Sequence, residues 1–161
     1  MNVWLYIGTW NVMTMLKPGK MKEISEQMLS SQIQIIALQE VRWKGHGQIK
    51  KNKYSIYYSC SQQNTGQFGT GFMVKKEIEK NIMSFTPINE RICTLRLKGK
   101  FHNVTLINVH APTEEKIEEK DTVFALVICA LFFSILAAEK SGCVKYADFF
   151  CGGLDLGFIL V

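Results

Sequence analysis

The chain has 161 residues, 47% hydrophobic and 20% charged, which is enough for one domain of ordinary size and is a globular rather than a disordered composition. Three prolines, 12 glycines and no fixed-period repeat exclude collagen-like, Pro-rich spacer and solenoid architectures. The net charge of +5 hides an asymmetry: residues 1–113 carry 15 Lys or Arg against 6 Asp or Glu, while residues 114–161 carry 4 against 8, so a body of +9 suited to phosphate-rich ligands precedes an acidic, apolar tail.

In chain order, Val3 to Val12 is rich in β-branched and aromatic residues and predicts a strand, which Lys17-Pro18-Gly19-Lys20 separates from a helical pattern. Met21, Ile24, Met28 and Leu29 recur at helical spacing and predict one apolar face, with the helix ending near Ser30-Ser31. Ile33 to Val41 contains the apolar run Ile35 to Leu38, the signature of a strand buried on both faces, so a strand, a crossover helix and a second strand are expected. Arg42 to Lys53 reads as a cationic loop. From Tyr54 onward the pattern changes to short strands joined by turns: residues 54–61, a turn over 62–69, then a strand over 70–76. Arg91 to Lys98 alternates, and Gly99-Lys100 leads to Asn103–His110 as its antiparallel partner. Several short strands with few helices predict an α+β sandwich, with helices covering the outside of stacked sheets.

The pattern breaks after Thr113, which divides the chain into residues 1–113 and 114–161. Glu114 to Asp121 is charged, and Thr122 to Ala138 carries no charge over seventeen residues. That stretch predicts an apolar C-terminal helix about 25 Å long, slightly under the roughly 30 Å of a hydrocarbon core, so a buried helix and a membrane helix are both open. Phe149 to Val161 is apolar without periodicity and predicts no element. The five cysteines include no CxxC pair, and the first ten residues lack the layout of a cleaved secretory signal. A reducing compartment is expected, and the acceptor triplet at Asn103 is discounted accordingly.

Three places along the chain can carry chemistry. Asn11 follows the first strand, and Glu40 lies near the end of the buried run, where a carboxylate must face water, a cation or a metal. A hard divalent cation would use one or two such carboxylates, keep several waters and complete its shell with phosphate oxygens. The plainer alternative is a salt bridge from Glu40 to Arg42 or Lys44. Asn108 and His110, two apart on a strand, share one face and offer an amide together with an imidazole that exchanges protons near neutral pH. The segment from Arg42 to Lys53 holds Arg42, Lys44, Lys50, Lys51 and Lys53 together with Trp43, a composition suited to a nucleic-acid backbone with one base-stacking ring. Thr65 to Gly71 is glycine-rich, but no helix and no Lys-Ser/Thr follows, so it reads as a turn into a closely packed strand.

Thr9-Trp10-Asn11-Val12, Leu38-Gln39-Glu40-Val41-Arg42, Gly69-Thr70-Gly71-Phe72 and Asn108-Val109-His110-Ala111-Pro112, in that order, resemble the endonuclease/exonuclease/phosphatase superfamily of DNase I-like enzymes. Residues 7–115 are similar to its non-LTR retrotransposon-derived, craniofacial development protein 2-like branch. The resemblance implies a four-layered α/β sandwich that hydrolyses phosphoesters with Mg²⁺, or Mn²⁺ in its place. It implies Glu40 as metal ligand, Asn11 holding metal or phosphate, Asn108 contacting phosphate, and His110 stabilising or protonating phosphate oxygens. Nucleic acid, DNA ahead of RNA, is the implied partner, in a nuclear or cytoplasmic setting. The family's second half should bring a Gly-Asp-x-Asn segment and a late Ser-Asp-His; neither occurs, Ala147-Asp148-Phe149-Phe150 is the nearest echo, and no histidine follows His110. The expectation is therefore a truncated domain of weak or no activity, its sheet faces open to oligomerisation or covered by the tail. A non-catalytic nucleic-acid-binding remnant and a small membrane-attached protein are the alternatives.

Overall fold

In the computed structural model, β1 (Ile7–Asn11) and β2 (Ile35–Gln39) pair in parallel, Ile7 opposite Ile35 and Asn11 opposite Gln39. Parallel neighbours need a crossover, and α1 (Lys20–Ser30) supplies it. Residues 5–63, 66–100 and 102–110 are described in full, and 157–160 by their backbone. Every residue of β2 is buried, as its unbroken apolar run requires. β2 sits between β1 and β5 (Thr70–Lys75), and β4 (Tyr54–Ser59) and β3 (His46–Lys50) complete a sheet of order β1-β2-β5-β4-β3. A short α2 (Lys76–Glu79) leads to the second sheet, β6 (Ile82–Pro87), β7 (Ile92–Leu97), β8 (Val104–His110) and β9 (Gly157–Leu160), in that order across the sheet.

Alternation of side chains sends each strand of the first sheet into two cores. Ile35, Ala37, Phe72 and Val74 face the second sheet and meet Cys93, Leu95, Leu97 and Leu106. Ile36, Leu38, Ile56 and Met73 face outward and are covered by Ile24 and Met28 of α1. Each fully buried side chain of this size stabilises the fold by about 1.5–3 kcal/mol relative to exposure. Among the described residues the layers are three: α1, the first sheet and the second sheet. This is a mostly β structure with few helices, consistent with a DNase-like fold. At the centre of the first sheet a side chain on Gly71 would place its Cβ 2.4 Å from the Tyr57 carbonyl oxygen, the close packing expected after the glycine-rich turn.

Three sequence expectations change. Leu29, assigned to the apolar face of α1, is exposed, because the helix contacts the sheet through Ile24 and Met28 and turns Leu29 away. The loop expected over Arg42 to Lys53 contains β3, an edge strand paired with β4 in which Ile49 lies opposite Ile56. His46, Gly47, Gln48 and Lys50 carry no strand signal of their own, so tertiary pairing decides the conformation. β6 lies outside the expected strands; among the described residues it pairs with β7 alone, and its terminal Pro87 is tolerated at such an edge. The apolar helix expected at 122–138, the boundary at 113, the echo at Ala147–Phe150 and most of the tail lie outside the described residues. In the tail's last stretch, for which periodicity predicts no element, β9 pairs antiparallel with β8, Gly157 opposite His110. No helix among the described residues is long and apolar enough to cross a membrane.

Candidate active site at the strand tips

The C-terminal ends of β1, β2 and β8 converge. Asn11 is the last residue of β1, Glu40 immediately follows β2, and His110 ends β8. Glu40 and Arg42 both adopt left-handed backbone conformations, φ 55° and 59°. For residues with a Cβ this costs on the order of 1–2 kcal/mol each. Neighbouring backbone offsets the cost: the Val41 N–H donates to the Gly69 carbonyl at 3.0 Å, that of Arg42 to Phe68 at 2.8 Å, and that of Met15 to Val41 at 3.0 Å. Gly69 is itself left-handed, φ 100°, and a Cβ there would fall 2.6 Å from Cys60 Sγ. The glycine-rich turn thus braces the back of the Glu40 turn.

The Glu40 carboxylate accepts from Asn11 Nδ2 at 3.0 Å through Oε1 and from Arg42 Nη2 at 2.6 Å through Oε2. His110 Nε2 stands 3.9 Å from Oε1. The expected salt bridge to Arg42 and the approach of His110 therefore occur at one carboxylate. Burial alone would raise the Glu40 pKa, but the bonds from Asn11 and Arg42, with the charges of Arg42 and His110, outweigh it and hold the carboxyl below its ordinary value. A depressed carboxylate contributes stability that is complete above its unfolded value and is lost as pH falls through the lower folded value. Denaturation midpoints of wild type and Glu40→Gln are accordingly expected to differ most near neutrality and to converge in acid once pH falls below the depressed Glu40 value; a constant gap would contradict this assignment.

Asn11 is oriented by its own turn, since its Oδ1 accepts from the Met13 N–H at 3.0 Å. His110 is buried, and its backbone N–H donates to the Arg91 carbonyl at 2.9 Å. Its ring lies 6.1 Å from that of Phe68, over which the Arg91 guanidinium stacks at 4.0 Å. Phe68 and Arg91 are site neighbours that sequence reasoning missed. A lone aromatic inside a glycine-rich turn was the available signal for the first; nothing in the sequence distinguishes Arg91 from the other strand-end cations.

Asn108 lies between the two sheets. It is fully buried, with Nδ2 donating to the Leu38 carbonyl at 2.9 Å and the Gly71 carbonyl at 2.8 Å, and Oδ1 accepting from Gln39 Nε2 at 2.8 Å. Gln39 Nε2 also donates to Thr9 Oγ1 at 3.0 Å. With its amide engaged on both atoms, Asn108 ties β8 to β2 and β5, two residues before His110.

The model of the Endonuclease/Exonuclease/phosphatase family matches residues 8–127, a span that includes Asn11, Glu40, Asn108 and His110. The chain belongs to the endonuclease/exonuclease/phosphatase family. It is 37% identical over 107 residues to craniofacial development protein 2 of Tragulus javanicus and 36% identical over the same length to that of Bos taurus. The matched stretch is 66% of this chain and 18% of each relative, so the chain spans about a fifth of the proteins it matches.

The cations of the segment from Arg42 to Lys53 fall at two ends of the first sheet. Lys50 lies opposite Ser55, Ser55 opposite Val74 and Val74 opposite Ile35, the first residue of β2. Lys50, Lys51 and Lys53 therefore sit at the other end of the sheet from Glu40, beside a cleft of about 450 Å³ shared with Lys22 of α1. Arg42, Trp43 and Lys44 remain at the site end. Trp43 packs on the outer core and meets Tyr58 edge-to-face at 5.0 Å, which fixes its ring. The basic segment expected as one loop is thus divided by β3.

The donor set decides which cation suits this family site. Among the described residues no group of three or more His, Cys, Asp or Glu side chains gathers. One ionised carboxylate with an amide beside it fits a hydrated, oxygen-seeking divalent cation that keeps most of its shell as water and phosphate.

Proposed function

We propose that this chain carries part of a metal-dependent phosphodiesterase site of the endonuclease type, acting on nucleic acid with DNA favoured over RNA, in a nuclear or cytoplasmic setting. The single observation that supports the reading is the meeting of Glu40, Asn11 and His110 at neighbouring strand tips, with His110 3.9 Å from the carboxylate, inside the family match. Glu40 would hold the cation, with Asn11 beside it. Bound there, Mg²⁺ or Mn²⁺ supplies positive charge to a phosphoryl oxygen and the leaving group. His110 binds a phosphate oxygen through Nε2 and can transfer a proton to it near neutral pH. Asn108 and Gln39 hold the two strand tips in register.

A second reading, nucleic-acid binding without cleavage, is favoured by the +9 charge of residues 1–113 and by the lysines at the β3–β4 turn. Incubation with supercoiled plasmid separates the two. Nicking with Mg²⁺ that stops in EDTA supports the first, salt-sensitive retention without nicking supports the second, and neither behaviour removes both. Under either reading, the double variant Lys51→Glu/Lys53→Glu is expected to weaken duplex binding and to flatten the salt dependence by about one unit of slope per lost phosphate contact. An unchanged slope would remove this end of the sheet from the interface.

A further inference from the structure

We infer that Arg42 is an exchangeable counter-ion: it neutralises Glu40 until a divalent cation takes the carboxylate, and it then turns to a phosphate oxygen of the nucleic-acid strand. This rests on the phosphodiesterase reading above and adds to it a coupling between cation and substrate binding.

Four features of the structure carry the exchange. Arg42 Nη2 holds Glu40 Oε2 at 2.6 Å, so guanidinium and cation compete for the same carboxylate. The Arg42 backbone is pinned by its N–H bond to the Phe68 carbonyl at 2.8 Å, so only the side chain need move. That side chain is 38% exposed against 15% for Glu40, which leaves it a route out through solvent. Its Nε is buried without a hydrogen-bond partner among the described residues, so the pose on Glu40 leaves one donor unsatisfied. A buried, unpaired donor weakens the arrangement that contains it. The planar fork of a guanidinium matches carboxylate and phosphate alike, so a released Arg42 next to a phosphoryl group has an equivalent partner within reach. A cation bound to Glu40 repels the guanidinium and makes that transfer favourable.

The test is Mn²⁺ binding to the full chain, followed by the electron paramagnetic resonance signal of the free ion, for wild type, Arg42→Ala, Arg42→Gln and Glu40→Gln. Removing the competing cationic group is expected to tighten Mn²⁺ binding about tenfold, the equivalent of one charge-assisted hydrogen bond no longer broken on binding. Duplex DNA affinity supplies the second readout. Wild type should bind DNA more tightly with Mn²⁺ than in EDTA, and Arg42→Ala should lose that gain. Arg42→Gln is neutral but keeps donors for the fold, and carries the same expectation should the alanine variant not fold. Mn²⁺ affinity that depends on Glu40 and is unchanged or weaker in both Arg42 variants overturns the exchange and leaves the phosphodiesterase reading standing. Absence of Mn²⁺ binding in wild type overturns both.

Discussion

Replacing Asn108 by leucine is expected to lower unfolding stability by about 3–5 kcal/mol, a large part of the roughly 5–15 kcal/mol that holds an ordinary domain together. Leucine keeps the branched shape but is bulkier, so overpacking at this fully buried position adds to the loss of hydrogen bonding. The Leu38 and Gly71 carbonyls would lose their bonds from Asn108 Nδ2, and Gln39 Nε2 would lose the Oδ1 acceptor while keeping Thr9. Each buried group left unsatisfied costs about 1–3 kcal/mol, and the leucine's apolar burial offsets only part of that. Asn108→Asp is expected to be no milder, because its second carboxylate oxygen would face two backbone carbonyls in place of the amide that donates to them. Urea denaturation of the full chain measures both variants. A change below 1 kcal/mol would show that β8 is held to the first sheet by apolar contact alone, and would remove the physical reason for treating Asn108 as the residue that sets the position of His110.

Asn108 also shows where sequence reasoning stops. Its spacing to His110 was legible, since alternation along a strand puts i and i+2 on one face, and both residues do face the first sheet. What a one-dimensional pattern cannot reveal is which backbone carbonyls lie across the gap. Two of the three partners of Asn108 are main-chain atoms of Leu38 and Gly71, contributed by strands 70 and 37 residues away. The same division holds for the fold. β2 and α1 are strongly periodic and were readable; β3 contains one apolar residue that packs, Ile49, and takes its conformation from pairing with β4. The lysines of the β3–β4 turn are neighbours of Arg42 in the chain yet lie at the far end of the sheet, because an extended strand of five residues separates them. Charge composition identified a surface without saying that a strand divides it.

Glu40→Gln is expected to abolish metal-stimulated nicking, by at least about a hundredfold, while leaving the fold in place. Glutamine keeps the shape of the side chain but has one acceptor oxygen where glutamate has two. Asn11 Nδ2 and Arg42 Nη2 now approach separate oxygens, so one of them would instead face an NH₂ group. The accompanying stability loss is expected to be near 1–2 kcal/mol rather than more, because Arg42 is partly exposed and can return to water. Activity and stability should therefore separate in this variant, whereas in Asn108→Leu they should fall together. Where turnover is too slow to follow, Mn²⁺ affinity reports the same contrast: lost in Glu40→Gln, retained in a Lys51→Glu control at the far end of the sheet. His110→Gln supplies the complementary measurement, since it keeps a donor near the 3.9 Å position but cannot exchange a proton at neutral pH. It is expected to bind Mn²⁺ as wild type does and to lose the pH dependence of nicking. Metal-dependent cleavage that survives Glu40→Gln would place the chemistry at carboxylates elsewhere in the chain and leave the strand-tip cluster as a charged hinge between two sheets.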